Sequence, residues 1–134
     1  TIVFLDGRVY GKPKDGEEAK AMLRALAGRE HEVTTGIAWV HAGEVFTDVE
    51  TTRVFFAPLT EEAIDAYVKT GEPLDKAGAY AIQGRAAQFI ESIEGSFSNV
   101  VGLPLYAVCR LAGKAGVNLY DNHGSRSTDG GATA

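Results

Sequence analysis

An α/β fold is predicted for this 134-residue chain, because β-rich runs joined by short turns alternate with stretches whose apolar residues recur at helical spacing. Two hairpin signals and two well-capped amphipathic helices carry that reading. The length, with 45% hydrophobic residues, suffices for one core and is too short for two, so residues 1–120 are expected to form one domain.

The elements follow in order. Ile2–Leu5 and Arg8–Tyr10 flank Asp6-Gly7, a dipeptide that tolerates positive φ at both positions and so closes a two-residue hairpin. Asp15 is a good helix N-cap, with Glu18 three residues on as in a capping box. Ala19, Met22, Leu23 and Leu26 then share a face before Gly28 ends the helix. Glu32–His41 and Val45–Ala57 are rich in Val, Thr, Phe and Trp, with Ala42-Gly43-Glu44 as the turn between them. Thr60 caps a second helix, with Glu61 and Glu62 in its first turn and Ala63, Ile64, Tyr67 and Val68 on one face. Ala87–Ile93 reads as a strand, Gly95 as a turn, and Phe97–Val101 as a strand that resumes before Pro104 opens a last helix to about Lys114. Residues 121–134 are Gly, Ser, Thr, Asp and Asn with almost nothing apolar, and are expected to be disordered.

The formal net charge of −5 argues against long nucleic acid as a partner, which calls for a basic face that neutralises several phosphates. A single nucleotide stays open, since one or two directed lysines and a divalent cation hold a small anion whatever the global charge. No run approaches the ~18 apolar residues a membrane helix needs, and the cytoplasm is the expected compartment. The lone Cys109, in an apolar segment, reads as a small hydrophobe without a chemical role.

Residues 71–84, Gly-Glu-Pro-Leu-Asp-Lys-Ala-Gly-Ala-Tyr-Ala-Ile-Gln-Gly, look too polar and glycine-rich for a core element, yet they lie between two strongly patterned ones. Pro73 is expected to stop the preceding helix, and Gly78 and Gly84 to let the backbone pass close to a ligand. Asp75, Lys76 and Gln83 offer an acceptor, a cation and a two-faced amide, a set that suits a small, anionic, hydrogen-bonding ligand. Lys76 beside Asp75 also reads as a solvated ion pair. Lys12, framed by Gly11 and Pro13, has a direction fixed by its backbone that an ordinary surface lysine lacks.

Six ordered blocks resemble the Maf family of nucleoside triphosphate pyrophosphatases: Thr1-Ile2-Val3, Gly11-Lys12-Pro13, residues 28–33 with Thr35-Gly36, residues 71–80, Ile82-Gln83-Gly84, and residues 98–104. The resemblance implies a mixed, twisted sheet flanked by helices. It implies hydrolysis of a nucleoside triphosphate to the monophosphate and pyrophosphate, a house-cleaning of the nucleotide pool that depends on Mg²⁺ or Mn²⁺. It further implies a homodimer, and phosphate contacts from Lys12 and Lys76. Family members carry a Ser-x-Ser-Pro-Arg-Arg loop and an Asp general base ahead of the residue matching Thr1. The chain therefore reads as beginning inside a strand, with the base and some metal ligands outside it and the metal site unassigned. Thr1 and Gln83 match the residues that mark the dTTP/UTP branch. A carboxamide offers both the donor and the acceptor that the O4/N3–H edge of uracil or thymine demands, whereas a carboxylate only accepts. Two other readings stay open: a nucleotide-binding regulator of septum formation and cell division, and an inactive truncated remnant.

His31, between two glutamates, reads as structural, because no second ligand stands at metal-binding spacing. Arg29 is expected to cap the helix before it, and Ser98 and Asn99 to bond backbone near the pocket, with a substrate contact left open.

Overall fold

The structure, a computed structural model, describes residues 1–119; the tail expected to be disordered, residues 121–134, lies outside the described residues. A five-stranded sheet runs in the order β2-β1-β3-β4-β5, from β1 (Ile2–Leu5), β2 (Arg8–Tyr10), β3 (Glu30–His41), β4 (Glu44–Phe56) and β5 (Ile90–Glu94). Helices α1 (Gly16–Leu26), α2 (Glu61–Lys69), α3 (Phe97–Val101) and α4 (Leu105–Lys114) complete the α/β class expected. Each pairing with a defined register, β1 with β2, β1 with β3 and β4 with β5, is antiparallel. The parallel pair that a mixed sheet requires is absent from these three.

Local chemistry explains the turns and helix starts. Asp6 and Gly7 take φ of 50° and 77°, and Ala42 and Gly43 take 53° and 80°, the paired positive angles that a two-residue hairpin needs. Asp15 accepts from the Glu18 N–H at 2.9 Å, while the Glu18 carboxylate reaches back to the Lys14 N–H at 2.8 Å, one residue earlier than in a capping box. Thr60 caps α2 by accepting from the Ala63 N–H at 3.0 Å. Gly28, at φ 68°, donates to the Ala57 carbonyl and carries the chain out of α1. The Arg29 side chain does not cap that helix; it forms an ion pair with Asp6 at 2.5 Å, because the hairpin turn brings the carboxylate within reach.

Two segments differ from expectation. Arg85–Phe89 is a 3₁₀ turn, and the strand starts only at Ile90. Phe97–Val101 is a helix despite its two valines, since the Ser96 Oγ caps it by accepting from the Asn99 N–H at 3.1 Å and Gly102, at φ 131°, ends it.

The chain divides into two compact units. The first, Thr1–Thr35 with Glu50–Pro104, holds the main core, in which Val3, Leu5, Leu23, Leu26, Val33, Val54, Phe56, Ile64 and Tyr67 are buried and α1 packs on α2. The second is Gly36–Val49 with the chain from Leu105 on. Within it α4 buries Ala107, Leu111 and Ala112, and Arg110 chelates Asp48 through two nitrogens, which holds that carboxyl below the usual range. No helix among the described residues is long and apolar enough to cross a membrane.

Candidate functional site

The first unit contains a cleft of about 510 Å³, and all four residues singled out in the sequence, Thr1, Lys12, Lys76 and Gln83, line it. The volume falls in the range of small-ligand sites. Lys12 comes from the connection between β2 and α1 and Thr1 from the approach to β1; Lys76 and Gln83 come from the segment after α2. Thr1 is anchored, its hydroxyl 2.8 Å from that of Thr35 on β3. The Lys76 ammonium lies 3.8 Å from the Asp75 carboxylate, and both side chains are well exposed. Lys12 and Gln83 are exposed as well.

Residues 71–84 depart from the open, polar loop expected. They fold into two short 3₁₀ turns, Glu72–Asp75 and Ala77–Ala79, followed by a further turn, and Pro73, Gly78, Ala79, Tyr80 and Ile82 are buried. Pro73 sits inside the first turn, since α2 has already ended at Lys69 and Gly71 takes φ 79°. The two glycines make room for protein atoms. A Cβ on Gly78, whose φ is 72°, would lie 2.6 Å from the Val3 side chain, and one on Gly84 would lie 2.3 Å from a Glu72 oxygen.

Several groups behind the cleft wall escaped the sequence reading. Tyr67 donates to Glu72 Oε2 at 2.5 Å and accepts from the Ala81 N–H at 3.0 Å, and the Arg85 N–H reaches Glu72 Oε1 at 3.3 Å. Burial, and then the bond to Glu72, push the Tyr67 phenol well above its ordinary pKa. Tyr80, which lines the cleft, pairs with His31 Nε2 at 2.7 Å, and these two rings and Phe56 meet edge to face. Burial alone lowers the His31 pKa to about 4, so the imidazole is neutral at pH 7; it is structural, as its sequence context suggested. The only signals for these contacts lay in the apolar face of α2, which includes Tyr67, and in Glu72 at the head of the glycine-rich segment.

Asn99 is completely buried, and its amide nitrogen faces the Val33 and Glu50 carbonyls and the Thr52 hydroxyl at 2.9–3.2 Å. It bonds backbone as expected, but at the sheet: its amide joins β3 to β4. Among the described residues no group of three or more His, Cys, Asp and Glu gathers as a metal centre.

Residues 1–115 match the family described as Maf-like protein. The chain is 54% identical over 121 residues to the dTTP/UTP pyrophosphatase of Pelotomaculum thermopropionicum, covering 89% of this chain and 63% of that protein. It is 52% identical over 120 residues to that of Symbiobacterium thermophilum, covering 90% and 62%. Against that of Hydrogenovibrio crunogenus it is 53% identical over 111 residues, covering 83% and 58%. The chain thus spans about three-fifths of the length of the curated relatives it matches. The matched residues include the whole cleft, and by that match the chain belongs to the Maf family.

Proposed function

We propose that the protein carrying this chain hydrolyses a pyrimidine nucleoside triphosphate, dTTP or UTP, to the monophosphate and pyrophosphate, and that this cleft holds the substrate. The observation that carries the reading is the convergence on one cleft of two lysines, a threonine and a carboxamide from three separate segments. The names of the relatives, dTTP/UTP pyrophosphatase, support the same substrates. In this reading water attacks the α-phosphorus and pyrophosphate leaves. Lys12 and Lys76 neutralise charge that grows on phosphate oxygens in the transition state. Gln83 pairs with the O4/N3–H edge of the base, and Thr1, fixed by Thr35, borders the same space.

A divalent cation fits this donor set in one way. Both oxygens of Glu72 already accept hydrogen bonds, which leaves Asp75 as the exposed carboxylate of the cleft. One carboxylate is enough for Mg²⁺, which keeps several waters and takes its remaining ligands from substrate phosphates. Such an ion would supply charge neutralisation at the bridging oxygens. Asp6, paired with Arg29, is a poor candidate for the general base. The family resemblance gives that part to an Asp directly ahead of Thr1. A cytoplasmic, homodimeric enzyme of the nucleotide pool completes the proposal, with the net charge of −5 disfavouring a nucleic-acid polymer as partner.

Replacing Gln83 by Glu in the complete protein tests the base assignment. The donor is lost and a charge is added, so kcat/KM for dTTP and UTP should fall by about 1–3 kcal/mol in transition-state terms. Steady-state kinetics with dTTP, UTP and CTP decide it: unchanged rates on all three remove Gln83 from the base pocket.

A further inference from the structure

A carboxamide alone is a poor judge of pyrimidines. Rotated by 180° it offers cytosine the complement that it otherwise offers uracil, so selectivity requires a backbone that allows one approach only. The backbone on either side of Gln83 is tied down by an unusual route. Two residues before it, the Ala81 N–H donates to the Tyr67 hydroxyl; two residues after it, the Arg85 N–H donates to Glu72. The two ties meet, since the Tyr67 hydroxyl itself donates to the other oxygen of Glu72 at 2.5 Å. Tyr67 is 3% exposed and packs edge-on against Phe89, which fixes the hydroxyl in turn. Gly84 belongs to the same device: only a residue without a Cβ lets the Glu72 carboxylate seat directly beneath the segment.

We propose that Tyr67 and Glu72 are positioning residues for base selection, a clamp on the amides of Ala81 and Arg85 that holds Gln83 at one depth and angle in the cleft. This rests on the reading of Gln83 given above. A carboxylate suits the task because it accepts at both oxygens at once; an alanine at this position leaves the Arg85 N–H without an acceptor and the tyrosine hydroxyl with nothing to donate to, held only by the Ala81 N–H.

The test compares Tyr67→Phe, Glu72→Ala and Glu72→Gln with wild type in the complete protein. It reads the ratio of kcat/KM for UTP over CTP, and backbone amide exchange across residues 81–85. Tyr67→Phe and Glu72→Ala should each lower the ratio about tenfold and speed exchange at Ala81 and Arg85 by about as much, with the amides of β3 unchanged. Glu72→Gln keeps an acceptor for the Arg85 N–H and should lie between them and wild type. On a Gln83→Ala background Tyr67→Phe should leave the ratio where Gln83→Ala alone puts it. Equal slowing on both nucleotides, or unchanged exchange, overturns the clamp. A wild-type ratio near one sinks the reading of Gln83 instead, and the exchange comparison still decides whether the clamp exists. Should Glu72→Ala fail to fold, Tyr67→Phe and Glu72→Gln carry the same comparison.

Discussion

The cleft combines two unlike sets of residues. Lys12, Lys76 and Gln83 are exposed, whereas Tyr67, Gly78, Tyr80 and His31 beside and behind them are buried, and the tyrosines and the histidine are bonded to named partners. The difference separates what chemistry demands from what geometry demands. On the proposed reading the exposed lysines meet a flexible, highly charged polyphosphate, which asks for charge more than for fixed geometry. A base is rigid, and on the same reading the backbone that carries Gln83 must be rigid too.

The largest effect should come from the buried set. Gly78→Ala places a Cβ 2.6 Å from the Val3 side chain at a φ of 72°, combining overpacking with left-handed strain. A loss of about 2–4 kcal/mol of stability is expected, measurable by denaturant unfolding. A loss below ~1 kcal/mol would show that this wall is softer than the comparison holds.

His31 should make the same wall sensitive to acid. Burial holds its pKa at about 4 against an ordinary 6.5, so between those values the unfolded chain binds a proton that the folded chain excludes. Its stability contribution is complete above pH ~6.5 and declines as pH falls towards ~4, by about 3 kcal/mol in all. Melting temperatures from pH 7 to 4.5 should fall more steeply for wild type than for His31→Gln. Parallel curves would assign the acid sensitivity to other groups.

For the exposed set the expected effects are smaller and of another kind. Lys12→Ala and Lys76→Ala should each reduce pyrophosphate release by the complete protein about 10–100-fold, while melting temperatures stay within a degree or two. If activity and melting temperature fell in proportion, the two lysines would belong with the buried wall.

What the sequence disclosed was mostly local. The hairpins at Asp6-Gly7 and Ala42-Gly43 and the caps at Asp15 and Thr60 were legible because each is decided by neighbours within four residues. Phe97–Val101 was misread because two valines suggest a strand, while the deciding groups, the Ser96 hydroxyl and Gly102, lie just outside the run. Residues 71–84 were read as a site but not as buried structure. Their shape depends on distant contacts, Gly78 against Val3 and Tyr80 against His31, that no local pattern announces. The positions of Thr1, Lys12, Lys76 and Gln83 came from matched motifs, and the cleft brings all four together. The clamp was invisible because it joins a helix residue, a turn carboxylate and two backbone amides, and the amides leave no trace in side-chain chemistry.

Tyr67 and Glu72 grip main-chain amides and leave the side chain at position 83 outside their network. Backbone hydrogen bonds are indifferent to which residue supplies the N–H, so the clamp would hold any non-proline side chain at the same place. If Gln83 reads the base as proposed, selectivity is modular: a single codon change at position 83 alters what is read and leaves the reading frame of the pocket intact. Descendants of such a scaffold can diverge in the base they accept without first passing through an unstable ancestor.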